Sequence, residues 1–398
     1  MFLELLLERN PAFVEAAIAL HRDGRIPSNS YVVDLDTVTR NARAIGAAAA
    51  QRNLTVFAMT KQVGRVPPFI EAIRDGGIDA CVAVDVADAR AVHAAGARLG
   101  HVGHLVQVPQ GDAAEVAGMA PDYWTVFSDD KAREAAAASA ARGREQALLA
   151  RLYADGDRFY RGHGGGFAAE DVVAVAERLS QLEGARFAGI TTFPAALIDH
   201  DARRVVATPN LATLERAADR LRSAGHDRLE VNAAGTTSTA MLDLLADAGA
   251  TQIEPGHGLT GTTPLHVYDR TLPERPAVLY LTEVSHQHAG EAYCFGGGMY
   301  IDPVFGDYAT QALVASGPTS DAAGLLPIEL PPPAAIDYYG MIDTGRRTVS
   351  TGDTVILGFR IQAFVTRASV TSIAGVAAGR PEVVGIHDTS GRPITWPA

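Results

Sequence analysis

Residues 54–61 read LTVFAMTK, a short apolar run that ends on a lysine. A run of about four to eight apolar residues suits a strand buried on both faces, because buried helices are longer. Working outward, similar runs recur at 79–84, 102–108, 124–127, 147–153, 187–193, 228–232 and 251–254. Almost all are followed by alanine-rich stretches of helical character, such as 85–95, 170–182 and 239–248. Alternation of strand and helix points to parallel βαβ units and an α/β fold. Eight such strands within roughly 200 residues match a closed (β/α)8 barrel of the TIM type, which typically takes about 250. An open doubly wound sheet is the competing reading.

The texture changes near Pro264. Short β-branched runs follow at 277–282, 354–357, 362–370 and 382–386, separated by Gly and Pro clusters, with a loop rich in both from Ser316 to Ala335. This predicts a smaller all-β C-terminal domain, a sandwich or barrel. Ahead of the barrel, Asn10-Pro11 reads as an N-cap and first helical position. Phe13, Val14, Ala17, Ile18 and His21 mark one helical face, and Gly24 ends it. The division expected is a helical segment over 1–28, the barrel over 29–265 and the β domain over 266–398.

The net charge of −12 argues against nucleic acid or an anionic membrane as partner. Two cysteines, Cys81 and Cys294, are too few for a disulfide framework and fit a reducing compartment. The start, MFLELLLERNPAF (1–13), has no basic region, and Glu4 and Glu8 interrupt its apolar run. A soluble, cytoplasmic protein is the expectation.

In barrels of this type the active site forms at the C-terminal ends of the strands. Strand one ends there in Lys61. An ammonium at the end of a buried strand is costly unless compensated. A lysine reaching solvent past the rim is one reading; a lysine joined to an aldehyde as an imine is the other. Strand seven runs LEVNAAGTTST (229–239), placing Asn232, Gly235, Thr236, Thr237 and Ser238 just before a helix. Strand eight runs TQIEPGHGLTG (251–261), with Gly256 and Gly258 permitting close backbone approach. Barrels often bind phosphate at these two loops. A phosphate within reach of an imine-forming lysine describes pyridoxal 5′-phosphate. Glu254, at the end of strand eight, would then favour the protonated ring and strengthen it as an electron sink; a surface glutamate before proline is the alternative. HGGGF (163–167) reads equally as a phosphate neighbour or as loop-to-helix packing.

These stretches resemble the fold-type III pyridoxal-phosphate enzymes: alanine racemase, the ornithine and diaminopimelate decarboxylases, and D-serine dehydratase. PSNSYVVDLDTVTRNAR (27–43) is similar to the family's opening segment, where a strand precedes the barrel. VFAMTK is similar to its Schiff-base strand, VAVDVADARAVHAAG (82–96) to the unit that follows, and FAGITTFPA (187–195) to the strand carrying the residue that stacks on the cofactor. The resemblance covers 27–264 well and the remainder loosely. Of the named subgroups, the YhfX-type proteins, described as predicted amino acid racemases, are the most similar. Departures are informative. Where alanine racemases carry an arginine at the cofactor nitrogen, this chain has Glu254, as decarboxylases do. Phe193 occupies the place of the usual stacking histidine. The tyrosine after the lysine is missing from KQVGRVP (61–67), which leaves phosphate anchoring to other groups, His257 among them. The His-x-Cys zinc pair of D-serine dehydratases is replaced by Arg360 and Gln362. His286-Gln287-His288 is the nearest other cluster, and two histidines do not close a zinc site, so no metal is expected.

The resemblance implies a racemase or epimerase of a small amino acid, with Lys61 as the Schiff-base lysine and as one proton carrier, and a second acid–base group acting from the opposite face. CFGGGMYID (294–302) supplies Cys294 and Tyr300 as candidates, with a buried thiol and a packed tyrosine as their alternatives. Arg161 is a candidate for a substrate carboxylate or the phenolic oxygen, or simply a surface arginine. A homodimer with the site at the subunit interface is implied. Decarboxylation or D-amino acid lyase activity is the rival chemistry. A cofactor carrier without turnover is the rival class, against which stands the domain-sized segment of about 130 residues after the barrel.

Overall fold

A computed structural model describes residues 1–300, 310–316, 324–332 and 334–397. Ile301 and Asp302 of the CFGGGMYID segment, and part of the Ser316–Ala335 loop, lie outside the described residues. The chain forms two compact units: residues 43–60 with 77–258, and residues 1–42 with 61–76 and 259–398.

The first unit is a closed parallel barrel. Its strands are β1 (Thr55–Met59), β2 (Ala80–Val82), β3 (Arg98–Val102), β4 (Tyr123–Val126), β5 (Gln146–Tyr153), β6 (Ala185–Thr192), β7 (Glu230–Ala233) and β8 (Gln252–Ile253). β1 pairs with β2 and β8, and β4 pairs with β5, so the eight strands close on themselves and the open-sheet reading falls. The apolar runs mark these strands because parallel strands covered on both faces bury every side chain; β2 and β5 are buried over nearly their whole length. Phe57, Met59, Ala80, Val82 and Val84 fill one layer of the interior, and Ala147, Leu149 and Ala188 another, with Tyr123 packed against both.

One strand is displaced from its expected place. The run at 102–108 is mostly loop, and β3 is Arg98–Val102. Arg98, Gly100 and His101 break the apolar pattern there. Gly100 is required by its neighbour, since a Cβ at that position would run into the Phe57 ring.

The second unit is built on a nine-stranded sheet. Val278–His288, Glu291–Phe295, Tyr339–Asp343, Leu325–Glu329, Gln311–Ala315 and Thr354–Leu357 form an antiparallel ring. The N-terminal strand Ser30–Asp34 joins it, antiparallel to Val278–His288 and parallel to Ser369–Ala374. Its five residues are all buried, which explains the unbroken SYVV run. The helices Phe2–Arg9 and Pro11–Arg22 cover this sheet, with Leu3, Leu6, Phe13, Val14, Ala17 and Ile18 packed on Val32, Leu279, Leu281 and Ile356. Asn10 precedes the second helix as expected but makes no side-chain cap. Its amide donates instead to Asp34 Oδ2 and the Pro276 carbonyl, both at 3.0 Å, tying the helix pair to the strand.

Candidate active site

In the barrel unit, the end of β8 carries Glu254, buried together with Pro255, Gly256, His257 and Gly258. Glu254 Oε1 accepts a hydrogen bond from Asn232 Nδ2 of β7 at 2.9 Å and contacts His101 Nδ1 of β3 at 2.5 Å. Asn232 is itself oriented: its Oδ1 accepts from Thr191 Oγ1 of β6 at 2.8 Å, which turns its amide nitrogen toward the carboxylate. Glu254 Oε2 lies 3.2 Å from His104 Nε2, an ion-pair distance without hydrogen-bond geometry, so this oxygen can accept a further donor.

Burial alone would raise the proton affinity of Glu254. The charges of His104 and His101 and the hydrogen bonds from His101 and Asn232 outweigh it and hold the carboxyl below the usual range. Donor atoms of His101, His104 and Glu254 lie within 4.8 Å of one another. His101 already has both ring nitrogens engaged, the second with Thr125 Oγ1 at 2.6 Å, so the trio is held by a hydrogen bond and an ion pair rather than built as a cation cage.

The loop after β7 places Gly235 and Thr236 at the edge and buries Thr237 and Ser238. Ser238 Oγ is fully buried and has no hydrogen-bond partner within the protein. A Cβ on Gly235 would lie 2.6 Å from the Ala196 carbonyl oxygen, and one on Gly258 would collide with the carbonyl of Thr237. The two glycines are therefore what lets these loops approach. Gly258→Ala should lower unfolding free energy by about 1–3 kcal/mol through that collision. A urea titration matching the unsubstituted protein would show that the loop approach is not required.

Phe193 follows β6, with its ring 5.7 Å from His104, 5.9 Å from Tyr160 and 6.1 Å from His163. His163 of the HGGGF segment thus belongs to an aromatic group around the stacking candidate. Arg161 is exposed, whereas the fully buried arginine is Arg151 of β5. Arg151 donates to the carbonyls of His104, His163 and Phe193 at 3.3, 3.2 and 3.1 Å. Sequence reading missed Arg151, His101 and His104; the only signal was HVGH (101–104) at a strand end. Gln107, in the same loop, is a tie: it donates to the carbonyls of Gly103 and Thr125 and accepts from the Phe127 amide.

In the other unit, Lys61 directly follows the last residue before the barrel strand's turn and opens the short 3-10 turn Lys61–Val63. It is half-buried, its Nζ 5.1 Å above the ring of Phe364, which Arg65 also overlies at 5.7 Å. Cys294 is completely buried on its strand, and burial pushes its thiol up to about 12, so it stays protonated at neutral pH. Tyr300 is exposed. Arg360 and Gln362 follow the strand Thr354–Leu357, and His286 stacks on Tyr293 at 4.7 Å. His266 of the HVYDR stretch hydrogen-bonds Thr263 and lies 3.5 Å from the buried Glu274, a structural arrangement.

A closed parallel barrel with a buried carboxylate at β8 and two close-packed glycine loops defines a class, and the comparisons with known proteins agree with it. The alanine racemase N-terminal domain family matches residues 33–264, and the YhfX-like C-terminal domain family matches 279–383. The chain belongs to the alanine racemase-like family of pyridoxal-phosphate enzymes. It is 38% identical over 394 residues to the uncharacterized protein YhfX of Escherichia coli strain K12, covering 99% of this chain and 100% of that one. Among solved structures it is similar to D-threonine aldolase from Filomicrobium marinum (TM-score 0.69, 17% identity, 93% of this chain and 96% of that one). It is also similar to the alanine racemase of Clostridium difficile 630 (TM-score 0.63, 14% identity, 92% and 99%). These distant structures speak to the fold alone.

The residues present suit the family's cofactor on two observations. The free acceptor oxygen of the ionised Glu254 matches a protonated ring nitrogen, and the orphaned Ser238 hydroxyl in the loop after β7 matches a phosphate oxygen. Among the described residues, no helix is long and apolar enough to cross a membrane.

Proposed function

We propose that the chain is a pyridoxal-phosphate-dependent racemase or epimerase of a small amino acid. The observation that carries the cofactor dependence in this reading is Glu254, a fully buried carboxylate held ionised, with one oxygen left for a ring N–H. When bound, pyridoxal phosphate draws electrons from the substrate Cα, and does so most strongly with its ring nitrogen protonated. Asn232 orients Glu254. Gly235, Thr236, Thr237, Ser238, Gly256, His257 and Gly258 would hold the phosphate, and Phe193 would lie against the ring. Lys61 would anchor the cofactor covalently and carry the Cα proton on one face. Tyr300, exposed, is a better carrier for the other face than Cys294, which is completely buried. Arg161 would meet the substrate carboxylate. A homodimer in the cytoplasm completes the reading, and sedimentation at a single-chain mass would overturn its oligomeric part.

The test is incubation of the purified protein, loaded with cofactor, with single-enantiomer amino acids in deuterated water. The expected result is both enantiomers of one amino acid, with deuterium at Cα. Release of CO₂ would make the protein a decarboxylase, and cleavage to an aldehyde or to a keto acid with ammonia would make it a lyase. No change across a broad panel would leave a cofactor carrier. Each of these three would overturn the racemase.

A further inference from the structure

Behind Glu254 the barrel contains a chain of side chains that the reaction does not touch. His101 is completely buried on β3, and it bridges Glu254 Oε1 at 2.5 Å and Thr125 Oγ1 of β4 at 2.6 Å. An ionised carboxylate only accepts, so His101 Nδ1 carries the hydrogen it shares with Glu254. Its Nε2 faces a hydroxyl, which can either donate to a neutral imidazole or accept from a charged one. His101 therefore keeps both hydrogen bonds in either protonation state.

We infer that His101, backed by Thr125, is a positioning residue that fixes the charge of Glu254, and through it the protonation of the cofactor ring. The inference rests on Glu254 facing the ring nitrogen, as proposed above. The ionisable groups turned toward Glu254 are His101 from β3, His104 from the loop after it and Arg151 from β5. Of these, His101 makes the shortest contact and is joined to a further element. Two features favour a relay over simple packing. His101, Thr125 and Glu254 are all buried, so an unpaired carboxylate there would be costly. A packed apolar core would need neither a histidine nor its threonine.

The experiment follows the Glu254 carboxyl by its ¹³C signal in the holoenzyme across pH, together with the visible band of the bound cofactor at fixed pH. His101→Phe should raise the midpoint for Glu254 protonation by about one unit or more and shift the band. His101→Asn, whose amide can replace the Nδ1 donor, should recover most of the original midpoint. Thr125→Val should move it in the same direction as His101→Phe by a smaller amount, and serves as the reading if His101→Phe does not fold. An unchanged midpoint in both His101→Phe and Thr125→Val, with Glu254→Gln still shifting the band, would overturn the relay and leave the role of Glu254 standing. A band indifferent to Glu254→Gln would overturn both.

Discussion

Lys61→Ala is expected to remove the visible cofactor band and to lower turnover at least about a thousandfold, since covalent anchoring and one proton carrier go together. The side chain is half-buried, and its contact with the ring of Phe364 is worth about 0.5–1 kcal/mol, small beside the catalytic loss. Borohydride treatment of the unsubstituted protein should fix the cofactor to the peptide containing Lys61, as read by mass spectrometry, and fix nothing in the variant. A variant that keeps both band and turnover, or a label on another lysine, would remove Lys61 from the site.

Much of the barrel was legible because its strands are buried on both faces and leave an uninterrupted apolar mark in the chain. β3 was harder to place, since RLGHV carries a charge, a glycine and a histidine in five residues. Its glycine answers to the ring of Phe57 on the next strand but one, and no local pattern records such a contact. The strand Ser30–Asp34 is legible as a strand, but its pairing with residues near 280 and 370 is not, because that depends on chain closure over hundreds of residues. The same distinction holds at the site. Glu254 and the glycine loops stand at strand ends, where the barrel rule directs attention. His101 and Arg151 are buried one and two residues before the ends of β3 and β5, and a polar residue there reads as an interruption until its partners, about 150 and 40 residues away, are in place.

Arg151 should be the most sensitive of those hidden positions to substitution. It is wholly buried, and burial lowers its guanidinium to about 10, with Glu254 pulling in the opposite direction. Its ends reach the carbonyls of His104, His163 and Phe193, and its plane lies 5.0 Å from the ring centre of Phe127 and 5.7 Å from that of Phe159. One side chain thus fastens three segments that meet around Glu254 and Phe193. Arg151→Met keeps most of the volume but leaves three carbonyls without that donor. The expected cost is about 3–5 kcal/mol, the range for breaking a buried charged network by removing one member. Arg151→Lys keeps the charge but cannot fork to three acceptors, and should fall between the two. Urea unfolding orders the three proteins. Because the segments bearing His163 and Phe193 lose their anchor, cofactor affinity should fall in the same order. A methionine variant as stable as the parent would mean that the guanidinium is merely tolerated in the barrel.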